Sequence, residues 1–322
     1  MTTKLAPRAR DGESALSRFA FRVTARVVSV ATAIVLCGPA GPVHADPHFV
    51  GWSAVLPPLA TAYDSGSSND CAAGRPACVR QTIREMRQRF EPLAQTCDHD
   101  AVFSLAYLRT TEAFYEASET PDFFTDARRI NHQAVAFARM YFGAYDDWSA
   151  GRHERVAPAW RVAFRAADDR AVSGSTDLLL GMNAHVNRDL PFVLAATGMV
   201  GPEGSKQDHD KVNEVLNRVV EPLMAELAAR FDPAIANAET PYGLGYTALL
   251  QLLVEWRENA YRQAERLASA PDQATRDQVA AQIEASAEAQ ARAIVTGEAY
   301  HPPLTSTTAR DDYCSATESS GS

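Results

Sequence analysis

From Val79 to Val295 the apolar residues return every three or four positions and nowhere settle into strict alternation. That spacing puts them on one face of a helix, whereas a half-buried strand would need a period of two. Ile83, Met86, Phe90 and Leu93 share one face of a helix over Val79–Ala94, and Leu105, Leu108 and Tyr115 share one over Val102–Ala117. Thr120-Pro121 is a cap and first-turn pair for a long helix reaching Trp148 and ending near Gly151; Pro158–Asp168 follows. A strongly apolar helix is expected from Ser175 to Thr197, with Gly198 as its left-handed terminator. Asp208–Ala229 is the next, with a kink or break at Pro222; Thr240-Pro241 opens Leu244–Ala268, and Asp272–Val295 comes last. The expected fold is all-α, a single bundle of roughly eight helices over residues 78–299 around a buried central helix. Residues 46–77 form an extended lead-in with Trp52, Val55 and Leu56 as docking points, and 300–322 form a polar tail read as loop.

Residues 1–45 look like a targeting segment. Arg8, Arg10, Arg18, Arg22 and Arg26 precede an apolar run from Val27 to Leu36, and Val43-His44-Ala45 is a small-x-small cleavage signal. The run is half the roughly 20 residues that a membrane-spanning helix needs, so a secreted chain is expected. Cys37 follows Leu36, not a small residue, so no lipid anchor is expected there. The chain carries 31 Lys and Arg against 40 Asp and Glu, a net charge of −9, and it becomes more acidic once the basic leader is gone. That balance argues against nucleic acid or an anionic membrane as a stable partner. Cys71, Cys78, Cys97 and Cys314 form an even set, expected as two disulfides in an exported protein. Cys71–Cys78 closing a short loop and Cys97–Cys314 anchoring the tail is the favoured pairing, which also places the tail beside Asp98–Asp100 and leaves no thiol nucleophile.

The run LLLGMNAHVNRDLPFVLA is apolar on most sides yet polar at its centre. On a helix His185 and Asp189 are neighbours one turn apart on the face of Leu178, Gly181, Met182 and Phe192, whereas Asn183 and Asn187 point the other way with Leu190 and Leu194. A buried carboxylate needs a partner, so something must meet Asp189: Arg188, Arg139, water or a bound cation. Pro191 has no N–H to give, which frees a carbonyl next to this polar centre.

Two readings of this centre differ in kind. In one, His185 and Asp189 are an internal pair in an exported protein that binds a small molecule or a partner, or is purely structural. In the other, His132, His185, Asp189 and His209 hold a divalent metal such as zinc and activate water for hydrolysis of a phosphoester-type bond. His132 lies mid-helix with Val135, Ala136 and Met140. Asp208-His209-Asp210 opens a helix as Asp98-His99-Asp100 does, where acidic residues also serve as caps. Glu112 falls on an apolar face, either as a buried carboxylate or in an ion pair with an arginine such as Arg109. No serine-nucleophile elbow, phosphate-binding glycine loop or H-E-x-x-H motif is present.

At LRTTE, WRVAF, LLLGMNAHVNRDLPFVLA and DHDKVNEVL the chain resembles a family of exported, all-helical bacterial proteins known only as a domain of unknown function. The likeness covers most of Arg80–Ala299 and implies a helical fold and secretion, without an activity. A more distant likeness, through His185, Asp189 and Pro191, is to the zinc-dependent phospholipase C and P1-type nuclease group. A histidine soon after the proline, and a tryptophan as first mature residue, are missing from that outline.

Overall fold

A computed structural model describes residues 63–201, 204–238, 244–299 and 307–320, and no strand occurs among them. The leader, Cys37 and the docking residues Trp52, Val55 and Leu56 lie outside the described residues, as does Thr240-Pro241. The helices are α1 (Pro76–Gln95), α2 (Asp100–Glu119), α3 (Ala127–Ser149), α4 (Pro158–Asp168), α5 (Gly174–Met182), α6 (Leu190–Ala196), α7 (Lys206–Arg230), α8 (Leu244–Ala268), α9 (Gln273–Ala299) and α10 (Thr307–Ser320). A π-helical segment, Asn183–Asp189, joins α5 to α6, so Gly174–Ala196 is one continuous helix and the described residues hold nine in all.

Three local expectations are corrected. The long helix starts at Ala127, not at Thr120: Asp126 caps it by accepting the Arg129 N–H, and Asp208 accepts the N–H groups of Thr125 and Asp126 (2.7 and 3.0 Å). Those bonds satisfy the backbone just ahead of α3 without helix. Of the kink or break expected at Pro222, the break does not occur, since α7 runs from Lys206 to Arg230 with Pro222 inside it. The tail is not loop throughout, because α10 is a helix fixed to the bundle by the Cys97–Cys314 disulfide and by buried Arg310. Both disulfides follow the favoured pairing, with Cα–Cα separations of 5.2 Å for Cys71–Cys78 and 5.8 Å for Cys97–Cys314.

The Gly174–Ala196 helix is the axis of the molecule, packed against α2, α3, α4, α8 and α9. Ser173 caps its start by accepting the Thr176 N–H, and Gly198 at φ +70° ends it in the left-handed region. Gly181 is dictated by close approach: a Cβ there would stand 2.3 Å from Cγ of Phe103. Phe103 can therefore lie against the axis and pack edge-on to Tyr141 and Trp160. Pro191 removes one donor from the backbone ladder, which must be re-phased nearby. The π segment does this, with the Leu190 N–H reaching back five residues to the carbonyl of His185.

Candidate functional site

The axial helix becomes polar within its π segment, and each polar side chain there has at least one partner. Asp189 is fully buried. One carboxylate oxygen accepts from Arg188 at 2.8 Å; the other accepts from the Trp160 indole N–H at 2.9 Å and lies 3.2 Å from Nδ1 of His185. Arg188 reaches on to Glu284 of α9 at 2.5 Å, so a buried chain Glu284–Arg188–Asp189–His185 crosses from one side of the axis to the other. Arg188 thus supplies the countercharge; Arg139, the alternative, is bound to Glu85 at 2.5 Å. The opposite face is closed by amides, as Asn187 donates to Asn183 and to Gln290 and Asn183 donates to the carbonyl of Ala287.

Since the Asp189 carboxylate only accepts, Nδ1 of His185 must carry the ring proton. Burial pushes the imidazole below its usual pKa, with Asp189 opposing that shift, and the ring stays neutral at pH 7. In this tautomer Nε2 is a lone-pair acceptor, and among the described residues it has no hydrogen-bond partner. The ring is clamped, stacked on Phe137 with centroids 3.5 Å apart and met edge-on by Tyr107 at 4.3 Å.

His185 lines a partly open cavity of about 150 Å³ between α2, α3, the axial helix, α7 and α8. Its wall is almost wholly apolar, including Phe114, Ile130, Phe137, Leu216, Val219, Leu223, Leu249 and Leu253. Leu216, Val219, Val220, Leu249 and Leu253 are only half-buried, a state that large aliphatic side chains adopt when they face a void. Arg257 is the one charged lining residue, and it is engaged: it donates to Asn213 at 2.8 Å and to the carbonyl of His209, with burial holding its pKa down to about 10. Neighbouring Tyr107 has its phenol pushed well above the ordinary value by burial and by Asp189, so it too is uncharged.

The remaining sequence candidates lie elsewhere. His132 pairs with the carbonyl of Cys71 at 2.8 Å and ties the small disulfide loop to α3. His209 contacts the carbonyl of Arg257 at 3.2 Å, joining α7 to α8, and burial together with Arg257 drives its pKa well down. Asp208 fixes the start of α3, as described, and Asp210 is an exposed partner of Lys206 at 2.5 Å. Glu112 is no buried lone carboxylate, because it pairs with Arg87 and with Arg109 at 2.8 Å. His132, His185, Asp189 and His209 therefore do not converge, and among the described residues no three His, Cys, Asp or Glu side chains are grouped to hold a metal.

A second buried polar cluster escaped the sequence reading, which took Asp98-His99-Asp100 as a capping pattern. Asp98 does accept the Asp100 N–H, but His99 is buried between Asp177 of α5 (2.9 Å) and Asp311 of α10 (3.1 Å). Arg310 lies 3.4 Å from Asp177. The signal available was the Cys97–Cys314 pairing, which carries the tail to this end of α2.

Acid sensitivity follows from the two buried histidines. Unfolded imidazoles titrate near pH 6.5, while those of His185 and His209 are lowered in the fold. Below pH 6.5 the unfolded chain therefore binds more protons, and each group withdraws stability at up to about 1.4 kcal/mol per pH unit until its folded pKa is reached. Asp100 and Asp177 are raised by burial and pull the other way as pH falls. The histidine contribution is best read by comparison: in urea unfolding between pH 7 and 5.5, His209→Gln is expected to lose stability less steeply than the parent chain. Equal slopes would assign the pH response elsewhere.

Compared with known proteins, residues 79–297 match the model of a family of unknown function, DUF5995. No curated protein and no solved structure matches.

Proposed function

We propose that this chain, which belongs to the DUF5995 family of unknown function, is a binding protein for a small apolar molecule, held in the cavity that His185 lines. The observation that carries this reading is the cavity itself, about 150 Å³ of apolar-walled space in the middle of the bundle. A void of that size lined by aliphatic and aromatic groups forfeits packing energy and accepts a benzene-sized guest. The buried chain from Glu284 to His185 serves the reading as a rigid floor, since Arg188 pairs with both Asp189 and Glu284. Export is part of the proposal. It is supported by the two disulfides and the leader-like start, and among the described residues no helix is long and apolar enough to cross a membrane. N-terminal sequencing of exported protein is expected to begin at Asp46.

The binding test is a thermal one. Millimolar toluene and p-cresol are expected to raise the melting temperature of the intact chain in a concentration-dependent way, as ligands of the native state must. Ala134→Leu, which puts bulk into the cavity, is expected to abolish the rise. No rise with either compound, or a rise that survives in the filled variant, would refute the binding site.

A further inference from the structure

The lining of the cavity is drawn out along two helices. It runs from Phe103 to Phe114 on α2, about 16 Å of helix, and from Val212 to Met224 on α7, about 18 Å. A compact void of 150 Å³ would be only about 7 Å across, little more than one helical turn. We infer that the ligand is a single straight aliphatic chain, laid along α2 and α7 with its polar end at an opening between α7 and α8. This deepens the binding reading and rests on the cavity being a binding site.

Two further observations support an extended guest. The lining draws on both large core clusters: Phe103, Ala106 and Leu178 belong to one, and Phe114, Ile130 and Val186 to the other. The void therefore follows a seam between two cores, and close packing is interrupted along that seam, not at a single side chain. Exposure of the lining is also uneven. On α2 and the axial helix, Phe103, Ala106, Phe114, Leu178 and Val186 are buried, whereas Leu216, Val219 and Val220 of α7 and Leu249, Leu250 and Leu253 of α8 are half-buried. The cavity thus opens between α7 and α8.

Chemistry narrows the guest further. No carboxylate is among the described lining residues, and the one cation, Arg257, already donates to Asn213 and to the carbonyl of His209. A charged or strongly polar end would find no partner inside, so it stays at the opening, in water. An aliphatic chain needs no partner. Each methylene that leaves water for the apolar wall adds to affinity, and a chain can follow a seam that a compact ring fills at one point only.

Calorimetry on the intact chain with n-butanol, n-hexanol, n-octanol, cyclooctanol and toluene tests this. From n-butanol to n-octanol, affinity is expected to rise about fourfold for each added methylene, the gain from burying that group. Cyclooctanol, with as many carbons as n-octanol, is expected to bind no better than n-hexanol. Ala106 and Ala134 line different parts of the cavity, Ala106 within one core cluster and Ala134 against the other. Ala106→Leu is therefore expected to remove the gain of n-octanol over n-hexanol while leaving toluene bound, because only an extended guest occupies both parts. If that variant does not fold, the series on the parent chain still decides. Affinity that levels off at n-hexanol, or cyclooctanol binding as tightly as n-octanol, would overturn the straight chain and leave the cavity reading intact. Absence of binding by all five probes would overturn both.

Discussion

Replacing Asp189 by Ala is expected to destabilise the protein by about 3–5 kcal/mol, because it removes one member of a buried ion pair and leaves the other in place. Arg188 would retain only Glu284, and both the Trp160 indole N–H and the His185 Nδ1–H would lose their acceptor in the interior. At 2–4 °C per kcal/mol for a chain of this size, the melting temperature should fall by about 10 °C. A matched substitution of all three charged groups, Arg188→Met with Asp189→Leu and Glu284→Gln, should recover part of that loss, since it leaves no unpaired charge and restores apolar volume. Thermal unfolding of the two variants beside the parent chain checks this. A loss below about 1 kcal/mol for Asp189→Ala would mean that the pair does not anchor the axial helix.

The long-range disulfide is expected to have an effect of similar size. Cys97 and Cys314 are 217 residues apart, and closing a loop of that length restricts the unfolded chain by about 5 kcal/mol in the chain-entropy model. Cys71–Cys78, separated by 7 residues, is worth only about 2–3 kcal/mol by the same reasoning. Replacing Cys97 and Cys314 by Ala also loosens the tether on α10, and with it the contacts of His99 to Asp311 and of Arg310 to Asp177. Urea unfolding of the two cysteine-pair variants should therefore rank them clearly, with the Cys97/Cys314 variant the less stable. The reverse order would mean that the tail is held by its other contacts.

The helical fold was legible because a period of 3.6 shows itself locally: the predicted face Ile83, Met86, Phe90 and Leu93 is the buried face of α1. Polar α10 was not legible, as it lacks an apolar stripe and is defined by attachments at Cys314 and Arg310. Within the site, His185 with Asp189 could be read from their spacing of four. Arg188 as the partner of Asp189 was one option among several, because adjacent residues on a regular helix diverge. Trp160, 29 positions away, could be placed in the core but not assigned its bond to Asp189. Pro191 signalled that the backbone ladder had to change, although not that it would do so through seven residues of π-helix. The metal quartet was misleading for a physical reason. Buried histidines at 132 and 209 find backbone carbonyls, and such demands leave no mark in composition or spacing.

The most direct measurement is a long-range ¹⁵N–¹H spectrum of the His185 ring at pH 7, recorded with and without p-cresol. A protonated Nδ1 and an unprotonated, pyridine-type Nε2 are expected, with ring resonances that shift when p-cresol enters the cavity that His185 lines. A proton on Nε2 would contradict the pairing of His185 Nδ1 with Asp189, and a ring indifferent to p-cresol that the protein demonstrably binds would contradict a ligand in this cavity.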